Sequence, residues 1–199
     1  ISWDEAMEEI TRQLLTVRQE SGASSAAFYC GYEKWYRPFL QRLAYSYGSV
    51  NYGSESSSCF TSTIMSWKCA TGAEMVQPDM KNAGVFLGFC ANPGISSYLM
   101  NVGLQANHRR GMKVIIIDPR ITPASQSADL HLRVKPGTDG ALALCLGREL
   151  IHNDWIDRDY IRENVYGFEA YKEYVEAFTP EKTAEITGLT PEEIRLAAK

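Results

Sequence analysis

Lys113-Val114-Ile115-Ile116-Ile117-Asp118-Pro119-Arg120 is the stretch on which the fold turns. Four consecutive β-branched residues, bounded by Gly111 behind and Pro119 ahead, predict a strand too apolar to face water on either side. Working backward, Gly84-Val85-Phe86-Leu87-Gly88-Phe89 predicts a second buried strand. Asn92-Pro93-Gly94 predicts a turn, and Ser97 to Arg110 predicts a helix stopped by Gly111. Together these segments form a β-α-β unit. Working forward, a short strand is expected over Leu130 to Val134, then a helix from about Gly140 to His152 introduced by Thr138-Asp139. Helices are expected near Arg158 to Asn164, over Phe168 to Phe178, and from Pro191, where proline follows Thr190 at a first helical position.

The first third follows the same grammar. Ser2 and Glu5 form a capping box ahead of Trp3, Ala6, Met7, Ile10 and Leu14 at helical spacing, and Gly22 ends that helix. Ala26 to Gly31 reads as a strand buried on both faces, and Arg37 to Tyr47 as a helix stopped by Gly48. Ser49 to Ser58, rich in Asn, Gly, Glu and Ser, reads as a polar loop before a helix near Thr61 to Cys69. Uncharged strands alternating with helices predict an α/β fold: a doubly wound, mostly parallel, Rossmann-like sheet with helices on both faces and a helical C-terminal segment, in one domain over residues 1–199.

Composition narrows the function. Twenty basic and twenty-four acidic residues give a net charge of −4, so no positive field gathers nucleic acid. No apolar run approaches the roughly 18 to 20 residues that span a bilayer, so direct membrane insertion is not expected. The chain begins at Ile1, so any targeting segment would lie outside it, and a fragment of a larger protein is the expectation. Cysteines 30, 59, 69, 90 and 145 lack CxxC spacing, which predicts mostly reduced core thiols rather than a disulfide scaffold or a complete metal cluster.

In doubly wound sheets, ligands bind outside the carboxyl ends of the strands. That rule selects the loops after Gly31, from Gly88 to Ser97, and from Asp118 to Ser127. Gly88, Cys90, Ala91, Asn92 and Pro93 could offer backbone N–H groups and a helix start to a phosphate, or could merely make the turn; the G-x-G-x-x-G fingerprint is absent. Asp118 could accept ribose hydroxyls and Arg120 could pair with a phosphate, or Asp118-Pro119 could be only a strand-ending turn with Arg120 a surface cation. In Gly137-Thr138-Asp139, Asp139 either caps a helix, the reading its local sequence favours, or binds a base. Cys59 follows a polar loop and is a candidate ligand or nucleophile, with Cys69 as a rival and an unreactive thiol as the alternative. The serines lack a nucleophile elbow, and His108, His131 and His152 read as solvated.

In order, these segments resemble the molybdopterin oxidoreductases of the dimethyl sulfoxide reductase family. Ile1-Ser2-Trp3-Asp4-Glu5-Ala6 looks like the segment after that family's iron–sulfur domain, Gly88 to Pro93 like its G-x-N-P loop, and Val114 to Arg120 like its V-I-D-P-R strand end. Ala128-Asp129 with Pro136 to Leu142 resembles A-D … P-G-T-D-x-A-L, and Thr179-Pro180-Glu181 to Ile186-Thr187-Gly188 completes the series.

The resemblance implies a molybdenum bis(molybdopterin guanine dinucleotide) cofactor, with Cys59 as metal ligand and catalytic residue. It implies Cys90, Ala91, Asn92 and Pro93 along a pyrophosphate, Asp118, Pro119 and Arg120 beside a guanosine, and Gly137, Thr138 and Asp139 at the guanine edge. It further implies two-electron redox of a small anaerobic-respiration substrate, commonly by oxygen-atom transfer. A [4Fe–4S] domain would lie before Ile1, a C-terminal barrel after Lys199, and an iron–sulfur electron-transfer subunit would be the partner, in a prokaryotic cytoplasm or exported. Phe60 stands where many members carry His after the ligand cysteine, which argues against formate-type chemistry. The isolated chain is expected to be inactive. Two rivals are a non-catalytic doubly wound module binding a nucleotide or a protein, and a family member that hydrates its substrate without redox.

Overall fold

The computed structural model describes residues 1–57 and 59–199. They form two compact units, Ile1–Gln77 and Pro78–Lys199. Both are α/β with parallel strand pairing.

The first unit opens with α1 (Trp3–Ser21), whose capping box joins Ser2 and Glu5 and whose C-cap is Gly22. β1 (Phe28–Cys30) leads to α2 (Arg37–Tyr47), which Gly48 ends in the left-handed conformation. Phe28, Ala44 and Tyr47 form its core with Leu14 and Leu40 packed against them. β1 is not buried on both faces: Phe28 and Cys30 point inward, whereas Tyr29 is 65% exposed. That core lies on one side of the strand only, so burial alternates along it.

The expected loop contains β2 (Tyr52–Ser54), parallel to β1 in the register Phe28 to Tyr52, followed by a 3-10 turn at Glu55–Ser57. Its polar residues hold backbone: Ser49 Oγ donates to the Ala26 carbonyl at 2.6 Å and Asn51 Nδ2 to the Ser24 carbonyl at 2.5 Å. α3 (Phe60–Thr71) follows and ends at left-handed Gly72.

In the second unit, β3 (Val85–Phe89), α4 (Pro93–Ser96), α5 (Tyr98–His108), β4 (Lys113–Ile117), α6 (Pro123–Gln126) and β5 (Leu130–Leu132) build a parallel sheet of order β3-β4-β5. α7 (Asp139–His152), α8 (Arg158–Asn164), α9 (Phe168–Val175), α10 (Pro180–Thr187) and α11 (Pro191–Ala198) make the C-terminal part helical. The sheet has a core on each face. Ile117 and Leu132 meet Leu142, Cys145 and Leu146 of α7 and Ile194 of α11, while Val114 and Ile116 meet Leu104 of α5 and Ala124 of α6. Each fully buried Ile or Leu contributes roughly 1.5–3 kcal/mol.

β4 is the central strand, as its unbroken apolar run requires. β3 departs from the expected two-sided burial, since Val85 and Leu87 remain 54% and 42% exposed at the edge of this sheet. α10 was not predicted as a helix, although Thr179 caps it by accepting from Lys182 N. No helix among the described residues is long and apolar enough to cross a membrane.

Candidate functional site

The carboxyl ends of β3 and β4 and the start of α7 carry most of the predicted residues. The sheet pairing runs one residue past β3, because Cys90 N donates to the Ile117 carbonyl at 2.7 Å. Cys90 then takes φ +49°, a left-handed conformation rare for a residue with a side chain, and this turns the chain out of the sheet. Asn92 follows as the N-cap of α4, its carbonyl accepting from Ile95 N and Ser96 N, each at 3.0 Å. Behind the loop, buried Gly88 admits Ile116 and Ala91 so closely that a Cβ would stand 3.0 and 3.1 Å from them. The helix expected over Ser97 to Arg110 is α5, but it does not start at this phosphate seat: the expected turn at Asn92-Pro93-Gly94 winds into a single helical turn, α4, that stops at Ser97 before α5 starts. Its dipole is therefore short.

Asp118 is 1% exposed. Its Oδ1 accepts from Arg120 N at 2.8 Å and faces Arg120 Nε at 3.4 Å, closing a turn around Pro119. The other carboxylate oxygen, Oδ2, is buried with no hydrogen-bond partner among the described residues, and so is Oδ1 of Asn92. A buried acceptor left unpaired costs about 1–3 kcal/mol, so both atoms call for a donor from outside the chain. The Arg120 side chain is 73% exposed and free to meet an anion.

Asp139 opens α7 beside left-handed Gly137. The expected capping role is not taken: Thr138 is the N-cap, and its hydroxyl instead donates to the Lys135 carbonyl at 2.6 Å. Asp139 turns to the β3 loop, where the Cys90 thiol meets its Oδ1 at 3.7 Å. Cys90 is therefore exposed rather than a core thiol, as are Cys59 and Cys69; of the five, Cys30 and Cys145 are buried. Partial burial and then the carboxylates of Asp139 and Asp118 push the Cys90 thiol up, against the opposing pull of Arg120. The structure thus brings together Gly88, Cys90, Ala91, Asn92 and Pro93, the Asp118-Pro119-Arg120 turn, and the Gly137-Thr138-Asp139 junction.

Two residues that support the site were not predicted. His131 is not solvated; its Nε2 lies 2.8 Å from the Asp118 carbonyl, and Arg133 Nε donates to the Pro119 carbonyl at 3.3 Å. The alternation of Leu-His-Leu in β5, continued by Arg133 just after it, was the available signal. The other histidines also have partners, His108 with Asp129 and His152 with Glu176.

Cys59 belongs to the first unit. It is exposed at the N-terminus of α3, and its carbonyl accepts from Ser62 Oγ at 2.8 Å. The segment leading to it is tied by Arg37, which pairs with Glu55 and donates to Ser56 Oγ and to the Gly31 and Tyr32 carbonyls, each at 3.2 Å. That pairing holds the Glu55 carboxyl below its ordinary range. Ser58 lies outside the described residues.

The molybdopterin oxidoreductase family profile matches residues 1–187, and the chain belongs to that family. It is 28% identical over its whole length to the F420-dependent formate dehydrogenase subunit alpha of Methanocaldococcus jannaschii, covering 30% of that protein. It is 30% identical over its whole length to the acetylene hydratase of Syntrophotalea acetylenica, covering 27%. In the solved acetylene hydratase of Pelobacter acetylenicus, the match has a TM-score of 0.68 at 29% identity and covers the whole chain and 28% of the enzyme. The chain therefore spans less than a third of the length of these relatives. The family implies a molybdenum–molybdopterin cofactor, and two buried acceptors lacking donors at the strand ends fit a hydroxyl-bearing and N–H-bearing ligand.

Proposed function

We propose that this chain is the part of a molybdenum-dependent oxidoreductase that grips the guanine dinucleotide tail of molybdopterin. The observation that carries the reading is the pair of buried, unpartnered acceptors, Asn92 Oδ1 and Asp118 Oδ2, at the ends of adjacent parallel strands. Asp118 Oδ2 accepts a ribose hydroxyl, Arg120 and the backbone of Cys90, Ala91 and Asn92 meet the pyrophosphate, and Asp139 beside Thr138 and Gly137 accepts from the guanine edge. Cys59 is the thiolate ligand of the metal, a soft donor suited to a metal already held by sulfur. When bound, the cofactor supplies two-electron redox at a small-molecule substrate, with electrons leaving through a [4Fe–4S] cluster and an iron–sulfur subunit. The chain's own residues bind and orient it.

The test is made on the full-length enzyme produced with active cofactor synthesis. Acid hydrolysis should release guanosine monophosphate in proportion to molybdenum, and Cys59→Ala should abolish turnover while leaving the released nucleotide unchanged. Molybdenum without guanine nucleotide would overturn the reading. The match to acetylene hydratase favours a second reading, addition of water without net redox. A redox titration under turnover separates the two, because only the oxidoreductase consumes electron acceptor.

A further inference from the structure

Cys90 occupies an unusual place: a residue with a side chain in a left-handed turn, its thiol 3.7 Å from the carboxylate of Asp139 across two separate loops. Glycine would adopt that backbone without strain, so the side chain has a local cost that its contacts must offset. We infer that the Cys90 S–H is a positioning donor that holds Asp139 for base recognition and thereby sets the preference of the site for a guanine edge.

Three observations carry this. Asp139 stands first in α7, where its carboxylate could fold back on the free N–H groups of the helix start; instead it reaches the β3 loop. No cation pairs with Asp139 among the described residues, so its remaining lone pairs stay open to N–H donors. Asp118, almost wholly buried and with Oδ2 unpartnered, acts electrostatically on the same thiol, so a buried acceptor without a donor lies in the neighbourhood of Cys90. A thiolate between two carboxylates would repel both. The thiol is held protonated, and a protonated thiol can only help by donating. With Oδ1 fixed by sulfur, the carboxylate presents its free lone pairs to two adjacent donors, the N1–H and N2–H of guanine. Adenine offers an acceptor at N1 and is rejected.

This rests on the dinucleotide reading above, and the experiment keeps the two apart. GDP, IDP and ADP are titrated into the protein by calorimetry or by amide chemical shifts, for wild type, Cys90→Ala, Cys90→Gly and Cys90→Ser, each checked for native circular dichroism. Wild type should rank GDP above IDP above ADP. Cys90→Ala should cut the GDP-over-ADP preference about threefold to tenfold, the range for one modest hydrogen bond. Cys90→Ser, which keeps a donor, should restore most of the preference. Cys90→Gly, free of backbone strain, should behave as Cys90→Ala. Equal weakening of GDP and ADP in Cys90→Ala, or an unchanged ratio, would overturn the positioning role while leaving the dinucleotide reading intact. A wild-type protein that binds none of the three, or does not distinguish GDP from ADP, would overturn the dinucleotide reading itself.

Discussion

Gly88→Ala probes the coupling between the sheet and the loop that leaves it. A methyl group here would stand 2.8 Å from Phe86 Cε1, 3.0 Å from Ile116 Cδ1 and 3.1 Å from Ala91 Cβ. Ordinary carbon contacts lie at about 3.5–4.0 Å, so all three neighbours must yield. Ile116 is fully buried in the central strand and has nowhere to go. Relief must come from Phe86 and Ala91, and moving Ala91 moves Asn92 and Cys90 with it. Overpacking of this kind costs about 1–3 kcal/mol, and replacing a strand glycine returns about 0.5–1 kcal/mol. The expected net loss is about 1–2 kcal/mol, roughly a five- to thirtyfold fall in amide protection along Val114 to Ile117, read by hydrogen exchange. Nucleotide affinity should fall further than stability does, because the loop absorbs the strain. Gly84→Ala is the control, since its added methyl would meet nothing within 4 Å. If Gly88→Ala matched wild type in both protection and affinity, the loop would not be set by this close approach.

Other perturbations test separate parts of the structure. Asp118→Asn should cut nucleotide affinity about tenfold yet leave stability within about 1 kcal/mol of wild type in urea melts, because the oxygen it replaces has no partner in the free protein. Gly147→Ala places a methyl against the Tyr171 hydroxyl and 3.2 Å from its Cζ. It should destabilise the α7–α9 packing by about 1–3 kcal/mol despite a better helix residue, and Tyr171→Phe should recover part of that loss in a double-mutant cycle. Burial pushes the Cys145 thiol up, so the unfolded chain releases this proton first as pH rises. Its contribution to stability is whole below about pH 8.5 and is lost as pH climbs toward the folded-state value; Cys145→Ala should flatten the alkaline slope of stability against pH.

The regular elements were legible wherever a local rule sufficed. The Ser2–Glu5 box, the Gly48 stop and the β-branched run of β4 each state their structure within a few residues. Failures came where tertiary context decided. β2 hides in a polar stretch because Ser49 and Asn51 spend their side chains on the backbone of the preceding segment, a partner no window around them contains. The burial of Val85, Leu87 and Tyr29 depends on which strand lies at an edge and which face a helix covers. At the site, strand-end logic selected the loops holding Asn92 and Asp118, while Asp139 was read only from the helix start at Gly137-Thr138-Asp139. Neither could tell that Asp139 faces a thiol instead of its own helix, nor that His131 braces the Asp118 carbonyl, since both contacts join segments distant in sequence.

The charge balance at the strand ends indicates how such a site would share its work. Asp118 and Asp139 bring two carboxylates, set against Arg120, which is mostly exposed, and Arg133, whose Nε is already spent on the Pro119 carbonyl. A seat built to capture phosphate by charge would carry an excess of cations. On the proposed reading, the diphosphate would be met by Arg120 and by neutral backbone N–H groups, with no more than one turn of α4 behind them. The acceptors face the opposite requirement, since an unpaired buried oxygen gains only from a ligand that brings hydroxyl or N–H donors to its position. On that reading, discrimination would reside in the sugar and base contacts, and attraction of the phosphates would be modest. Inorganic phosphate or pyrophosphate would then bring no donor to Asn92 Oδ1 or Asp118 Oδ2, while a whole nucleotide would bring ribose hydroxyls and base N–H groups, so the complete tail should bind better than its charged fragment.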